Sequence, residues 1–239
     1  MHEPIVDWPR LARLSGAGRG IFVLAPHPDD ECIGTGALIA HARMRGVRVE
    51  VALLTDGAAS HPRSRQHGPA RLAAIRLAEM RAALRCLGQI RPLLTLDLPD
   101  SASGTVADAQ WQGTRRRLRA AIVQSGAGLV VTTWRREPHR DHRSAYRLLR
   151  QAMYGLPATL AECLVWTPIT GTRRDRPSAR EGRLVHLTVG AARPRKVAAL
   201  RAHRSQFGAV VGDDPDGFCI DPATFRAMTG PHESYVLER

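Results

Sequence analysis

GIFVLAPHPDDE, residues 20–31, passes from an apolar run directly into a group of ionisable side chains. The run Gly20–Leu24 is typical of a buried strand. The group that follows consists of His27, Asp29, Asp30 and Glu31. So many ionisable side chains are costly to desolvate unless a cation, backbone amides or water compensates their charge. The strand end is therefore expected to be a cation site, a hydrogen-bonded loop or a solvent-exposed loop.

Strand and helix patterns alternate along the rest of the chain. The predicted strands cover residues 20–24, 47–55, 92–98, 128–134, 163–168 and 183–189. The predicted helices cover residues 34–46, 69–87, 111–124 and 194–207, with another inside 137–153. This alternation predicts an α/β fold with a mostly parallel sheet flanked by helices. No internal repeat or linker is visible, so we expect residues 1–239 to form a single domain.

Two polar loops are expected to meet at one edge of this sheet. In the usual strand order 3-2-1-4-5, the first and fourth strands are neighbours, and ligands bind beyond their carboxyl ends. The first loop is PHPDDE, residues 26–31, and the second is REPHRDH, residues 136–142. Two imidazoles and one carboxylate make a typical catalytic zinc set with a fourth position left for water. The sequence therefore predicts a metal site at the C-terminal ends of the first and fourth strands.

The side chains left over after metal binding suit the hydrolysis of an amide. A second carboxylate beside the metal can act as a general base, and a second histidine can stabilise an oxyanion. An aspartate behind that histidine would orient the ring and favour its charged form. These loops resemble those of the LmbE-like, or PIG-L, zinc-dependent deacetylases. The family has a Rossmann-like fold and removes acetyl groups from N-acetylglucosamine units and related amides.

Other segments between residues 20 and 207 share in the resemblance. They are TDG at 55–57, the R-x-x-E helix from Arg76 to Gly88, LPD at 98–100, and the K…H-x-S-Q pattern at 196–206. One departure is Arg140, because the family commonly has proline at that place in H-x-D-H. That change loosens the turn or adds a cation at the rim, but the residues that match metal ligands are intact.

The resemblance implies a role for each matching residue. The ligands of one Zn²⁺ per chain, or of another divalent transition metal, would be His27, Asp30 and His142. The catalytic residues would be the general base Asp29, the electrostatic catalyst His139, and Asp141 behind His139. The substrate-binding residues would be Arg76 and Asp100, the second of which would bind a sugar hydroxyl. The whole chain, 1–239, would be a single LmbE-like deacetylase domain.

The chain carries a formal net charge of +13, and all of its 35 cationic side chains except Lys196 are arginines. Such a charge is typical of proteins that bind nucleic acid or anionic surfaces. Aromatic residues make up only 5% of the chain, however, and stacking platforms for nucleic acid need them. The sequence therefore does not favour nucleic-acid binding. It favours a small amino-sugar conjugate, and the positive charge favours an anionic one.

Location and redox state follow from simpler features. No apolar run approaches the length of a membrane-spanning helix, and residues 1–16 lack the apolar core of a signal peptide. A cytoplasmic location is the resulting expectation. The four cysteines are Cys32, Cys86, Cys163 and Cys219. They form no C-x-x-C pair, so we expect reduced thiols.

Other interpretations stay open at this point. The chain could be a related zinc amidase that acts on a non-sugar acyl amide. It could also be a non-catalytic basic protein that binds nucleic acid or an anionic glycan. A magnesium-dependent transferase using Asp29 and Asp30 is disfavoured by His27 and His142, because Mg²⁺ prefers oxygen ligands.

Overall fold

The computed structural model describes residues 3–89, 93–166 and 176–238. The strands are β1 (Ile5–Val6), β2 (Ile21–Ala25), β3 (Val49–Thr55), β4 (Leu94–Leu98), β5 (Leu129–Thr133), β6 (Thr159–Cys163), β7 (Arg183–Thr188) and β8 (His232–Leu237). The α-helices are α1 (Trp8–Ser15), α2 (Asp30–Ile33), α3 (Gly36–Met44), α4 (Pro69–Cys86), α5 (Asp108–Ser125), α6 (Arg140–Ala152), α7 (Arg193–Ala202) and α8 (Pro222–Met228). No helix within these ranges is long and apolar enough to cross a membrane.

The strands form one mixed sheet in the order β1-β7-β8-β6-β5-β2-β3-β4. All pairs from β4 to β6 are parallel, so the predicted order of the first five strands in the α/β pattern is confirmed. β8 was not predicted, and it runs antiparallel to both β6 and β7. The result is the predicted α/β fold, mostly parallel, with an added antiparallel strand.

Two apolar cores cover the two faces of the sheet. Along β2, Ile21, Val23 and Ala25 point into one core, and Phe22 and Leu24 point into the other. The alternation arises because successive side chains of a strand point to opposite faces. The first core packs α3, α4 and α7 on the sheet, and the second packs α5 and α6. Burial on both faces explains why β2 is apolar at every position.

The predicted strand at 163–168 is wrong in position. The strand there is β6, at Thr159–Cys163, and residues 167 and 168 lie outside the described part of the chain. The chain leaves the sheet after Cys163 because the backbone amides of Val165 and Trp166 donate to the carboxylate of Glu137, at 2.8 and 2.9 Å. Those two amides are therefore not available to pair with a neighbouring strand.

The sheet places two helix beginnings side by side. β2 ends at Ala25 and α2 begins at Asp30, while β5 ends at Thr133 and α6 begins at Arg140. β2 and β5 pair directly in parallel register, so both connecting loops emerge at the same edge. This edge carries the polar residues of the two sequence motifs.

Candidate active site

Three side chains from the two loops converge on one point. Asp30 Oδ2 lies 3.1 Å from His27 Nδ1 and 3.2 Å from His142 Nε2. Tetrahedral zinc with bonds of about 2.0–2.1 Å to nitrogen or oxygen requires neighbouring donor atoms about 3.3–3.4 Å apart. Both distances are close to this spacing, so Asp30 can share one divalent ion with either histidine. Two other sets in the described part of the site also have donor atoms within 4.8 Å of one another, His27–His139–His142 and His27–Asp100–Asp141.

The far side of the His27 ring faces two carboxylates. His27 Nε2 lies 3.1 Å from Asp141 Oδ2 and 3.3 Å from Asp100 Oδ1. Burial disfavours the protonated ring, but hydrogen bonds to Asp100, Asp141 and Asp30 outweigh it and raise the pKa of His27 well above its usual value. A carboxylate on the far nitrogen of a metal-binding histidine fixes the ring's orientation and makes it a stronger ligand.

Asp141 therefore serves His27 more directly than His139. The predicted role of Asp141 behind His139 stays a prediction, and the Asp141 carboxylate lies 4.0 Å from His139 Nδ1, beyond hydrogen-bond distance. The reason lies in the loop after β4: the Ser101 amide donates to Asp141 at 2.7 Å and the Ser103 hydroxyl at 2.6 Å. These donors turn the fully buried carboxylate toward His27.

His139 is the N-cap of α6, and this position determines which of its nitrogens carries the proton. Its Nδ1 accepts a hydrogen bond from the Asp141 backbone amide at 3.2 Å, so the neutral ring carries its proton on Nε2. Burial, with repulsion from the imidazoles of His27 and His142, lowers the pKa of His139 to about 4. The nearby Asp141 carboxylate acts in the opposite direction and raises the pKa of His139, so the expectation that Asp141 favours the charged ring agrees in direction and stays a prediction.

Asp29 has an unusual backbone conformation. Its φ of 134° is one that residues with a side chain rarely adopt, so other contacts must hold it there. Its amide donates to Glu31 Oε2 at 2.9 Å, and its carboxylate accepts from Arg76 Nη2 at 3.1 Å. Burial raises the pKa of Asp29 to about 6, although Arg76 acts in the opposite direction. A carboxylate with a pKa near neutrality suits a general base.

Arg76 lies on α4 and is almost wholly buried. Besides its bond to Asp29, it donates to the carbonyl oxygens of Gly57 at 2.9 Å and Pro28 at 2.6 Å. It lines the cavity, but both terminal nitrogens of its guanidinium hold the protein's own loops. The predicted contact between Arg76 and substrate stays a prediction, and the structure adds a positioning role that the sequence did not suggest.

Glu31 belongs to the first motif, although the sequence suggested no role for it. Its carboxylate accepts from the Asp29 amide, and it also lies 2.9 Å from His203 Nε2 and 3.0 Å from Cys32 Sγ. The donors of Glu31, Cys32 and His203 are close enough to hold a metal, but hydrogen bonds already link them. The available signal was the late H-x-S-Q pattern, whose histidine is this partner.

A cavity of about 670 Å³ opens beside these residues. Besides His27, Asp29, Asp30, Arg76, His139 and His142, its lining comprises Ala59, Ser60, Pro62, Asp100, Ser101, Pro138, Trp166, Gln206, Asp216 and Phe218. Its carboxylates outnumber its one guanidinium, which is already paired with Asp29. The expected preference for anionic substrates stays a prediction, which the chain's positive net charge supports and this lining does not.

Comparison with known proteins gives a family profile and several relatives. The profile described as PIG-L, GlcNAc-PI de-N-acetylase, matches residues 22–153, more than half of the chain. The 1D-myo-inositol 2-acetamido-2-deoxy-alpha-D-glucopyranoside deacetylase of Mycolicibacterium vanbaalenii is 28% identical over 270 residues, covering 92% of this chain and 90% of the relative.

Solved structures share the fold at lower identity. N,N'-diacetylchitobiose deacetylase from Pyrococcus horikoshii is 22% identical with a TM-score of 0.57, covering 79% of this chain and 71% of that one. GalB, the 4-carboxy-2-hydroxymuconate hydratase of Pseudomonas putida, is 17% identical with a TM-score of 0.69, covering 92% and 95%. Because the second is a hydratase, the fold alone does not fix the reaction, which must be argued from the site.

Proposed function

This chain belongs to the PIG-L family of GlcNAc-PI de-N-acetylases, and on that premise we propose that it is a zinc-dependent deacetylase of an N-acetylglucosamine conjugate. The observation that carries the proposal is the position of Asp30 Oδ2 between His27 Nδ1 and His142 Nε2. The Mycolicibacterium relative supports the substrate class, because its name describes an acetamido sugar joined to inositol. The proposal extends to residues 1–239 as one deacetylase domain.

In this proposal His27, Asp30 and His142 hold one divalent ion per chain. The chemistry that such an ion supplies when bound is Lewis acidity, which acidifies water and polarises a carbonyl. Asp100 and Asp141 keep the His27 ring in position through its Nε2. Asp100, which also lines the cavity, is in addition proposed to bind a sugar hydroxyl.

The two remaining side chains handle the proton and the negative charge. Asp29 accepts a proton from the attacking water and passes it to the leaving amine, so that acetate and a free amino sugar are the products. His139 donates from Nε2 to the oxyanion that forms at the amide carbonyl, and its neutral state is no obstacle because the proton is already on that nitrogen. Arg76 keeps the Asp29 carboxylate in place and contacts the substrate.

The test is acetate release across a panel of acylated amines, with metal content measured on the same protein sample. The panel contains N-acetylglucosamine conjugates and acetylated amines that lack a sugar. We expect acetate from the sugar conjugates, about one divalent ion per chain, loss of activity on chelation and recovery with zinc. Full activity in metal-free protein would refute the metal's role, and turnover of the non-sugar amides alone would refute the sugar substrate.

A further inference from the structure

An aromatic pair in the cavity lining has no part in the proposed chemistry. The rings of Trp166 and Phe218 meet edge to face, with centroids 5.7 Å apart and planes at 89°. Both residues line the same cavity as the metal-binding cluster, and both are partly exposed. Pro62 and Pro138 also line this cavity. When the acetamide of a substrate reaches the cluster, the rest of the substrate lies against these apolar side chains.

The backbone of Trp166 is anchored to the loop that carries His139. Glu137, two residues before His139, is fully buried, and its carboxylate accepts from the amides of Val165 and Trp166. Burying a carboxylate is costly unless such donors compensate it. The position of the indole is therefore tied to the position of a catalytic residue.

The backbone of Phe218 is anchored on another side of the site. Its amide donates to the Ser60 carbonyl at 2.9 Å, in the loop that follows β3. The neighbouring GDDPDG turn, residues 212–217, fixes that loop: Asp213 accepts from the amides of Arg65 and Gln66 at 2.8 and 3.0 Å, and Asp214 from the Arg63 amide at 2.8 Å. These contacts fix the turn against the loop that follows β3, and so stabilise the side of the cavity that carries Phe218.

The charge of the cavity lining limits which kinds of aglycone can pack on Trp166 and Phe218. Asp216, two residues before Phe218, also lines the cavity and is paired with the Arg63 guanidinium, and Asp100 lines the cavity as well. The Arg76 guanidinium is engaged with Asp29 and two carbonyl oxygens. Among the described lining residues, an anionic aglycone would therefore meet carboxylates and no unpaired arginine or lysine, whereas an uncharged flat group would gain aromatic stacking and apolar burial.

We propose that the aglycone of the substrate is an uncharged aromatic group that packs on Trp166 and Phe218. This inference rests on the proposed deacetylase function and adds the chemistry of the second half of the substrate. The cavity volume is consistent with it, because about 670 Å³ is in the range of drug-sized ligands and exceeds the need of one sugar ring.

The experiment compares 4-nitrophenyl, methyl and 1-phosphate derivatives of N-acetylglucosamine on the zinc-loaded protein. We expect kcat/KM for the 4-nitrophenyl substrate to exceed that for the methyl substrate by about tenfold, equivalent to 1.4 kcal/mol. The 1-phosphate should be the poorest of the three. Equal values for aryl and methyl substrates, or a preference for the phosphate, would overturn the inference.

Variants separate stacking from folding. Trp166→Leu and Phe218→Leu should remove the advantage of the aryl substrate, so that the ratio of kcat/KM for the aryl substrate to that for the methyl substrate falls toward one. The matched control is Phe225→Leu, because Phe225 forms a similar edge-to-face pair with Phe207, with centroids 5.6 Å apart, away from the cavity lining. The control should keep the advantage. Equal loss for both substrates in the Trp166 and Phe218 variants would assign the pair to the sugar or the scaffold, and the inference would fail.

Measuring the binding of reaction products tests the inference independently of turnover. Calorimetry with the deacetylated products, 4-nitrophenyl and methyl glucosaminide, should give a tighter Kd for the aryl ligand in wild type and in Phe225→Leu only. If no conjugate releases acetate, the proposed function fails, while this Kd ratio still decides whether the aromatic pair binds an aryl group. Equal Kd values for the two products would reject the pair as an aryl site.

Discussion

Two adjacent aspartates in the loop after β2 have different partners, and these partners separate their expected roles. Asp30 has its Oδ2 between His27 and His142, whereas Asp29 is paired with Arg76 and held by Glu31 through its backbone. The backbone of Asp29 has the rare φ of 134°, which these partners must hold in place. One residue is thereby suited to a metal and its neighbour to a proton.

The two asparagine substitutions should therefore have different effects on metal content and turnover. Asp30→Asn weakens a metal ligand, so metal content should fall and excess zinc should restore part of the activity by mass action. Asp29→Asn should keep its metal but lose about 10²–10⁴-fold in turnover, which zinc does not restore. Metal analysis and acetate release on the same samples check this. Loss of zinc from Asp29→Asn alone would reverse the two assignments.

A glycine offers a test of the Arg76 clamp without touching a charged residue. Gly57 has φ 72°, and a Cβ there would overlap the Arg76 guanidinium, lying 2.7 Å from its Cζ. Gly46 has nearly the same φ, 71°, with nothing within 4 Å of an added Cβ. Both alanine variants should lose about 1 kcal/mol of folding free energy from the backbone conformation.

Only Gly57→Ala should also lose turnover, because it displaces the guanidinium that holds Asp29. We expect at least about a tenfold drop in kcat with metal content unchanged, by comparison with the scale of general-base catalysis. Thermal unfolding and kinetics on the two variants provide the comparison. Equal kcat values for Gly46→Ala and Gly57→Ala would show that Arg76 does not position the base.

At the scale of elements, the local sequence pattern correctly predicted the strands and their order where neighbouring strands are parallel and buried. The predicted order 3-2-1-4-5 is that of β4, β3, β2, β5 and β6. The strand predicted at 163–168 failed because the Glu137 carboxylate, distant in sequence, takes the amides of Val165 and Trp166. β8 was missed because its pairing with β6 and β7 is decided by contacts across the whole chain.

The same distinction holds for the candidate site. The motif residues that the sequence singled out do come together, because they follow two adjacent strands. Which side chain faces which could not be predicted: Asp141 turns toward His27 because the Ser101 amide and Ser103 hydroxyl, on a loop about 40 positions earlier, donate to it. Glu31 gained its role from His203, which lies 172 positions away.

Helix α6 combines a structural and a chemical role in its N-cap, His139. The side chain of His139 accepts a hydrogen bond from the Asp141 amide, so it caps the start of the helix, and it also lines the cavity. Asparagine is a good N-cap without an imidazole. His139→Asn should therefore keep stability and metal but lose about 10²–10³-fold in turnover, the scale of an oxyanion donor.

His139→Ala should lose the same activity and, in addition, about 1 kcal/mol of stability with the cap. Chemical denaturation, metal analysis and kcat distinguish the two variants. Equal stability of the two would remove the capping role, and near-normal turnover in His139→Asn would remove the catalytic one.

At the scale of the whole molecule, surface and cavity differ in charge. The chain carries +13, yet carboxylates dominate the lining of the cavity. The surface charge acts on encounter with anions and is screened by salt, whereas the groups that a bound substrate meets decide its fit. The net charge of the chain therefore does not by itself predict the charge of the substrate.

The proposed metal should also stabilise the folded chain, because its ligands come from the two loops that follow β2 and β5. An ion that binds the folded chain and not the unfolded one stabilises it by about 2.7 kcal/mol at a free concentration 100 times Kd. For a chain of 239 residues, this should raise Tm by roughly 5–10 °C. Thermal unfolding of chelator-treated protein, with and without added zinc, measures the shift. Asp29→Asn should show the full shift and Asp30→Asn a much smaller one. An equal shift in both variants would place the binding of zinc elsewhere on the protein.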